Sequence, residues 1–324
     1  MSIFYEIIPV DTLFFNGSTP MTAGQNTAVS LFPPPVSVFE GAVRTTVLLQ
    51  KNINLQDYAL GKDESLVNII GKAGEEAPFK IDSFMIKKDG RFYVQAPQTW
   101  YFDTDSAIKT KKDYLNQKII QTKDFQKEFE VLSVMSSEKN IPFARAEKKL
   151  VPLKNIWISL DFLKSKSNVL GEEDFLLQNE IFTFEQRTGV ALDSKKHTVE
   201  GQLYSSSHIR LNDDVSLVFS ISKDADLLPE GKIFLGGERR ICKYKKIDLT
   251  LLEDFKFDSS NFLSLTAIEA SEENLKSLIA SSKLITSAGW DLKTGFHKPT
   301  KSYIPAGAVF SKNIGNFCIP LLQK

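Results

Sequence analysis

The segment FLSLTAIEASEENLKSLIA, residues 262–280, decides the predicted fold. Residues 262–268 have the apolar and β-branched content of a strand, and Ser271 follows as the N-cap of a helix. The predicted apolar face of this helix contains Leu275, Leu278 and Ile279. Strand-like runs at 284–290 and 303–310 complete the order strand, helix, strand, strand. This order makes up most of one ferredoxin-like unit.

The N-terminal half shows the same kinds of element. Residues 2–8 are predicted to form a strand, and the polar residues 16–26 a loop. Three prolines at 33–35 then precede a helix, since proline is tolerated in a first helical turn. The helix has apolar residues at spacings of three and four: Val36, Phe39, Val43 and Val47. Hairpins are predicted at 81–96, with a turn at Asp89-Gly90, and at 181–211.

These elements predict an α+β chain of two ferredoxin-like (RRM-like) domains with inserted hairpins and loops. A length of 324 residues suits two domains. We expect residues 1–212 to form the N-terminal domain and residues 213–324 the C-terminal domain. The lysine-rich region of about 104–150 has weak periodicity, so it is predicted to be an insertion, part helix and part loop.

The composition limits the classes of function. Forty lysines and arginines balance forty acids, which argues against a free-standing nucleic-acid binder with a broadly basic surface. A local cluster of cations remains compatible with this balance. Cys242 and Cys318 form no CxxC pair, so we expect buried, reduced thiols and no zinc site. Without a signal peptide or a long apolar run, the chain is predicted to be cytoplasmic and not to contact a membrane.

The run FLGGERR, residues 234–240, is the strongest functional signal from the residues themselves. Gly236 and Gly237 allow a concave nest of backbone N–H groups, and Arg239 and Arg240 add guanidinium forks that suit phosphate. Residues 230–246 contain six cations and two acids. The run is therefore predicted to bind a phosphate backbone, although a tight turn with solvated arginines is the other interpretation. Glu238 is predicted to hold the loop through an ion pair with a nearby arginine.

Further cations are candidates for RNA contact. They lie in the first helix and in the 181–211 hairpin: Arg44, Arg187, Lys195, Lys196 and His197. Arg44 could instead pair with Glu40 one turn earlier. The last three residues give the hairpin a cationic tip.

Signals for catalysis are weak. No phosphate-binding GxxxxGK[ST] loop and no metal-ligand spacing of histidines is present. Ser207 and His208 are adjacent, and adjacent strand residues point to opposite faces, so they are not expected to form a catalytic pair. Two enzymatic alternatives stay open. One is a palm-type nucleotide cyclase or polymerase with Glu238 and Asp11 as metal ligands, although Arg239 stands where such enzymes have a second acid. The other is an endoribonuclease with His197 or His208 as the base.

Six motifs in order support a resemblance: PVDTLFFNG (9–17), LFPPP (31–35) with GAVR (41–44), EQRTGVALD (185–193), EGQLY (200–204), LGGER (235–239) and YIPAGAV (303–309). Together they resemble the family of the third Cmr subunit. This is a RAMP-superfamily protein of the five-type, tag-binding group, found in type III-B CRISPR effectors. The resemblance covers nearly the whole chain.

The resemblance implies two ferredoxin-like domains and a subunit with no catalytic residues, metal or cofactor. It implies binding to the 5′ tag of a guide CRISPR RNA, and docking on a large palm-domain subunit and on backbone subunits of the same complex. A hairpin of the family kinks the guide. RNA contact carries over to Gly236, Gly237, Arg239 and Arg240, and by motif position to Arg44 and Arg187. Lys195, Lys196 and His197 are assigned from the charge of the hairpin tip alone.

Overall fold

A computed structural model describes residues 2–15, 27–62, 64–105, 108, 110–124, 142–195, 197–287, 290–291, 294, 296–315 and 317–324. The chain divides into two compact units, each of which is discontinuous in sequence. Unit 1 contains Met1–Ile81, Phe182–Asp248 and Thr286–Ser302, and unit 2 contains Asp82–Ile181, Leu249–Ile285 and Tyr303–Lys324. Residues 212 and 213 lie together in unit 1, so these units do not coincide with the predicted division of the chain.

The chain is α+β and rich in short strands. The described strands are β1 (Ile3–Pro9), β2 (Thr27–Val29), β3 (Ile81–Lys88), β4 (Arg91–Gln95), β5 (Trp100–Asp103), β6 (Ile119–Gln121), β7 (Lys123–Asp124), β8 (Pro142–Phe143), β9 (Leu150–Pro152), β10 (Ile156–Ser159), β11 (Phe175–Leu177), β12 (Phe182–Leu192), β13 (Thr198–Leu211), β14 (Val215–Ile221), β15 (Glu230–Phe234), β16 (Ile241–Ile247), β17 (Phe262–Ser264), β18 (Ile268–Glu269), β19 (Leu278–Ala280), β20 (Ile285–Ser287), β21 (Trp290–Asp291), β22 (Phe296–His297), β23 (Lys301–Ile304), β24 (Val309–Phe310) and β25 (Cys318–Pro320). The described α-helices are α1 (Val36–Gln50), α2 (Leu55–Ala59), α3 (Val67–Ile70), α4 (Lys111–Tyr114), α5 (Leu160–Lys164) and α6 (Glu272–Ser277).

In unit 1, strands β14, β1, β16 and β15 pair side by side and antiparallel. Helix α1 packs on one face of these strands, where the rings of Phe39 and Phe219 stack at 5.1 Å between centroids. Gln50, at the end of the helix, donates to the hydroxyl of Tyr244 on β16 at 2.6 Å. The predicted first strand and first helix are thus confirmed. Burial of each large apolar side chain contributes about 1.5–3 kcal/mol to this packing.

The predicted 181–211 hairpin is confirmed as β12 and β13, which pair from Phe182 and Leu211 to Leu192 and Thr198 with one bulge. Strand β2 adds to β13 in parallel. The segment after β1 joins the same sheet, because Leu13 and Ile209 exchange both backbone hydrogen bonds at 2.8 Å. The end of β1 is therefore fixed against the base of the hairpin.

In unit 2, strands β11, β10, β4 and β3 lie side by side. Strands β3 and β4 form the predicted hairpin, and Asp89 and Gly90 both have positive φ, at 49° and 76°. A two-residue turn with this geometry matches the twist of the strands. The rings of Phe84 and Trp157 pack edge to face inside the unit, at 5.9 Å.

The 262–280 segment follows the predicted order but has shorter elements. The predicted strand is divided into β17 and β18, because the N–H and C=O of Leu265 bond to Phe317 and Phe84 instead of continuing one ladder. Ser271 caps α6 by accepting from the N–H of Asn274 at 3.3 Å, as expected. The helix ends at Ser277, whose carbonyl accepts from the N–H of Ser311 at 2.8 Å. Leu278 and Ile279 therefore belong to β19 and not to a helix face.

The predicted 104–150 insertion contains the short helix α4, as expected, and also strands β6, β7 and β8, which the sequence pattern did not indicate. Residues 125–141 of this region, and the predicted loop at 16–26, lie outside the described residues. Cys242 and Cys318 are buried, free thiols, and burial raises the pKa of each to about 12. Within the described ranges, no helix has the length and apolar character needed to cross a membrane.

Candidate RNA-binding site

The loop between β15 and β16 has an unusual backbone. Gly236, Glu238 and Arg239 all have positive φ, at 84°, 56° and 50°, and the N–H of Leu235 donates to the carbonyl of Arg240 at 2.9 Å to close the loop. Positive φ costs non-glycine residues energy, so two such residues in one loop need support from their surroundings.

That support is a close contact with the segment after β1. A Cβ atom on Gly236 would lie 2.4 Å from the carbonyl oxygen of Phe14, and the N–H of Gly237 donates to the same oxygen at 2.7 Å. A Cβ on Gly237 would lie 2.9 Å from the Phe14 ring. Both glycines are therefore required by contact within the protein. The Gly237 N–H faces Phe14, so it does not contribute to an anion nest.

A network of three arginines and three carboxylates lies beside this loop. Asp11 is at its centre, and its two carboxylate oxygens accept from Arg187 at 3.0 Å, Arg210 at 3.0 Å and Arg240 at 3.4 Å. The hydrogen bond from Arg187 is the largest cause that lowers the pKa of Asp11 to about 2. Asp11 therefore stays ionised at neutral pH and joins three separate segments of unit 1.

Two glutamates complete the network. Glu185 accepts from the Nε of Arg187 at 3.0 Å and from the Nε of Arg210 at 2.5 Å, and these bonds lower its pKa, with Arg210 as the first cause. Glu238 accepts from Arg240 in the loop itself, which confirms the predicted ion pair. The charges of the six side chains balance. Arg187 and Arg240 thus have carboxylate partners already, whereas the sequence suggested cations directed at RNA.

Arg239 differs from its neighbour. Its side chain is exposed and forms no hydrogen bond or ion pair with any described residue. Arg240, in contrast, is only 17% exposed and lies within the network. Of the two adjacent arginines, Arg239 is the one whose guanidinium is available for an anionic ligand.

His208 is fully buried behind the network. Its Nε2 lies 3.0 Å from the Ser206 hydroxyl and 3.8 Å from the Glu238 carboxylate, and its Nδ1 lies 3.2 Å from the Thr12 hydroxyl. The Phe14 ring stacks on it at 4.9 Å. Desolvation is the main cause that lowers the pKa of His208, so the imidazole is kept neutral. A base at this depth does not reach a bound RNA.

The Ser206–His208 contact was missed from the sequence. Only adjacent residues were considered there, but residues i and i+2 of a strand share a face. Arg210 was missed for a similar reason. It lies on the same face of β13 as His208, diagonally across from Glu185 on β12. Alternation of charged residues on two paired strands is the signal that could have identified it.

The tip of the β12–β13 hairpin is organised by Asp193. Its carboxylate accepts from the backbone N–H groups of Lys195 and His197, both at 2.8 Å. The His197 side chain is 74% exposed and lies 3.6 Å from the same carboxylate. Lys195 is exposed, whereas Lys196 lies outside the described residues. The described part of the tip thus presents the exposed side chains of Lys195 and His197 together with one acid.

Arg44 has a structural environment. It is buried on α1 and donates to the Glu40 carboxylate at 3.2 Å, the Glu75 carbonyl at 2.9 Å, the Tyr58 hydroxyl at 2.9 Å and the Lys72 carbonyl. The alternative pairing with Glu40 is confirmed. Because its donors are used inside the protein, we leave Arg44 out of the proposed RNA-binding surface.

The environment of the acids differs from that of a palm-type metal centre. Asp11 and Glu238 both accept from Arg240, so a guanidinium lies between the carboxylates that two metal ions would need. Among the described residues, no group of three or more histidine, cysteine, aspartate or glutamate side chains is arranged to hold a metal ion.

The fold and site define an α+β, strand-rich protein with a glycine-containing loop, an exposed arginine on that loop (Arg239) and a balanced ion-pair network beside it. The sequence profile of a family described as CRISPR-associated protein (Cas_Cmr3) matches residues 5–259. The chain therefore belongs to the CRISPR-associated Cas_Cmr3 family, whose members are subunits of type III CRISPR effector complexes. A comparison with curated proteins found no match.

Solved structures show a similar fold. One is a chain from a cryo-EM structure of the type III-B Cmr-beta bound to cognate target RNA and AMPPnP. It has 18% sequence identity and a TM-score of 0.53, covering 95% of this chain and 85% of that one. A second is from the type III-B Cmr-beta bound to cognate target RNA, with the same identity and TM-score, covering 95% of this chain and 86% of that one. At this identity the similarity concerns the fold.

Proposed function

We propose that this chain is a non-catalytic scaffold subunit of a type III-B effector that binds the 5′ tag of the guide RNA in the cytoplasm. Its partners in the proposal are the large palm-domain subunit and the backbone subunits of the same complex. The proposed architecture is two ferredoxin-like domains. Family membership supports the assembly, and the loop between β15 and β16 supports RNA contact.

One observation carries the RNA-binding part of the proposal. Arg239 is an exposed cation without a described partner, and it is held on a loop whose shape is fixed by Gly236, Gly237 and the Asp11 network. A fixed loop reduces the backbone freedom that is lost when Arg239 binds a phosphate, and the planar guanidinium can donate two hydrogen bonds for one immobilised side chain. Arg187 and Arg240 act as paired supports of this loop, and Lys195, Lys196 and His197 supply further contacts at the hairpin tip.

The protein purified together with its neighbouring subunits is expected to contain bound RNA. Because the tag is common to all guides, sequencing this RNA should give one shared 5′ sequence followed by variable sequence. A complex assembled with the hairpin-tip double variant Lys195→Gln, His197→Gln should contain less RNA than the wild-type complex. Preparations without RNA, or RNA ends without a common sequence, would contradict tag binding.

The isolated chain is expected to form no product from ATP with Mn²⁺ and to leave precursor RNA intact. Asp11 and Glu238 are bound by Arg240 and His208 is buried, so these candidate metal ligands and this candidate base are not accessible to a substrate. His197 is exposed, and its only described charged neighbour is the Asp193 carboxylate, which holds the hairpin tip. Nucleotide analysis and gel electrophoresis check these two reactions. Activity that is abolished by Glu238→Ala, or by His197→Ala, would replace the scaffold proposal with an enzymatic one.

A further inference from the structure

The face of β1, β16 and β15 that points away from α1 has exposed side chains, which are arranged in successive apolar and charged rows across the strands. Its first row, nearest the loop, contains Val10, Ile241 and Phe234, which are 63%, 44% and 36% exposed. Phe234 lies directly opposite Ile241, and the N–H of Val10 donates to the Ile241 carbonyl at 3.1 Å. Exposed apolar side chains in one contiguous row indicate a contact surface.

The next row contains uncompensated positive charge. Lys232 and Lys243 lie directly opposite each other on β15 and β16, with Ile8 on the other side of Lys243. The two lysine side chains are exposed and form no hydrogen bond or ion pair with described residues. Like charges directly opposite in a sheet destabilise it. An anionic ligand across the pair would remove this repulsion.

The following row shows that this arrangement is local. Lys245 lies 3.3 Å from the Glu6 carboxylate and directly opposite Glu230. Its charge is therefore compensated within the sheet. The free charge of the face is confined to Lys232 and Lys243, next to the apolar row and on the same hairpin as Arg239.

The ligand chemistry follows from this combination. Lysine is depleted at protein–protein interfaces, so a free lysine pair beside the apolar row does not match a protein partner. Proteins that bind single-stranded nucleic acid combine cations that follow the phosphates with aromatic rings on which bases stack. Phe234 supplies an exposed ring between Arg239 on one side and Lys232 on the other, all within one hairpin.

We infer that single-stranded RNA held at the Arg239 loop continues over this sheet face, where Phe234 stacks on a base and Lys232 and Lys243 bind phosphates. This inference rests on the proposed RNA-binding function of the loop and extends it to a second subsite. Recognition here is independent of base identity, because stacking and phosphate contacts do not read base edges.

The test uses the full-length chain and single-stranded RNA of about 16 nucleotides labelled at its 3′ end, measured by fluorescence anisotropy at several salt concentrations. The double variant Lys232→Gln, Lys243→Gln should weaken binding and lower the slope of log affinity against log salt by about 0.7 for each lysine. Phe234→Leu keeps an apolar side chain but removes the ring, and it should weaken binding about tenfold.

A matched control is available in unit 2. Lys276 and Lys312 are exposed lysines paired with Glu272 and Glu273, at 2.6 Å and 3.1 Å, and the Lys276→Gln, Lys312→Gln variant should bind like the wild type. Thermal melting of each variant checks that it is folded.

The possible failures can be distinguished. A wild-type chain without RNA affinity overturns both the proposed function and this inference. Weaker binding by Arg239→Ala, with unchanged affinity and slope in the lysine and Phe234 variants, overturns the second subsite alone. Loss of subunit assembly with intact RNA binding would assign the face to a protein partner, and it also overturns the inference.

Discussion

Replacing Gly236 by alanine is expected to destabilise unit 1 by about 2–5 kcal/mol. A side chain at φ 84° costs about 1–2 kcal/mol for the backbone conformation alone. The added Cβ would also lie 2.4 Å from the Phe14 carbonyl oxygen, and forced contacts of this kind cost about 1–3 kcal/mol. The carbonyl is fixed by its hydrogen bond to Gly237, so it has little freedom to move.

Urea denaturation followed by fluorescence measures this loss. Gly61→Ala is the matched control, since Gly61 has φ 70° in the same unit but no atom within 4 Å of the position that a Cβ would occupy. The control should show the conformational cost without the contact cost. Equal losses in the two variants would mean that the approach of the loop to Phe14 does not contribute to stability.

Local patterns were sufficient for much of the fold. Helix α1 could be predicted because proline, the apolar stripe and the helix length all lie within one short segment. The β3–β4 hairpin is similar, since Asp89-Gly90 specifies a turn between two apolar runs. Such elements are determined by side chains that are neighbours in sequence, and sequence patterns report them directly.

The structural role of Gly236 and Gly237 could not be predicted from local sequence patterns. Their sequence suggested a backbone nest for phosphate, whereas the structure shows close packing on Phe14, a residue more than two hundred positions earlier. The sequence therefore indicated correctly that the loop between β15 and β16 has an unusual backbone. The unusual backbone is required by a tertiary contact with Phe14, and no pattern in the neighbouring sequence indicates that contact.

The ion-pair network is a second feature that local sequence patterns could not predict. Asp11, Arg187 and Arg240 come from three separate strands or loops, and their charges meet only after β1, β12 and β16 have packed in unit 1. From the sequence, Arg239 and Arg240 were both assigned to RNA contact. Only the folded arrangement separates the paired Arg240 from the free Arg239.

This separation gives a second prediction with a large effect. Arg239→Ala should weaken binding of tagged RNA about tenfold and lower the slope of log affinity against log salt by about 0.7, while stability stays within about 0.5 kcal/mol of the wild type. The reason is that Arg239 is exposed and without a described partner, so its removal costs the fold little.

Arg240→Ala should show the opposite pattern. Its removal leaves Glu238 without its partner and takes one of three guanidiniums from Asp11, so stability should fall by about 1–3 kcal/mol. Denaturation curves and anisotropy titrations on the same preparations measure both quantities. Arg239→Lys tests the charge itself, because it should keep the salt slope of the wild type even if affinity decreases. Two arginine variants with the same losses of stability and affinity would show that the loop acts as one structural unit, and the assignment of RNA contact to Arg239 would then be wrong.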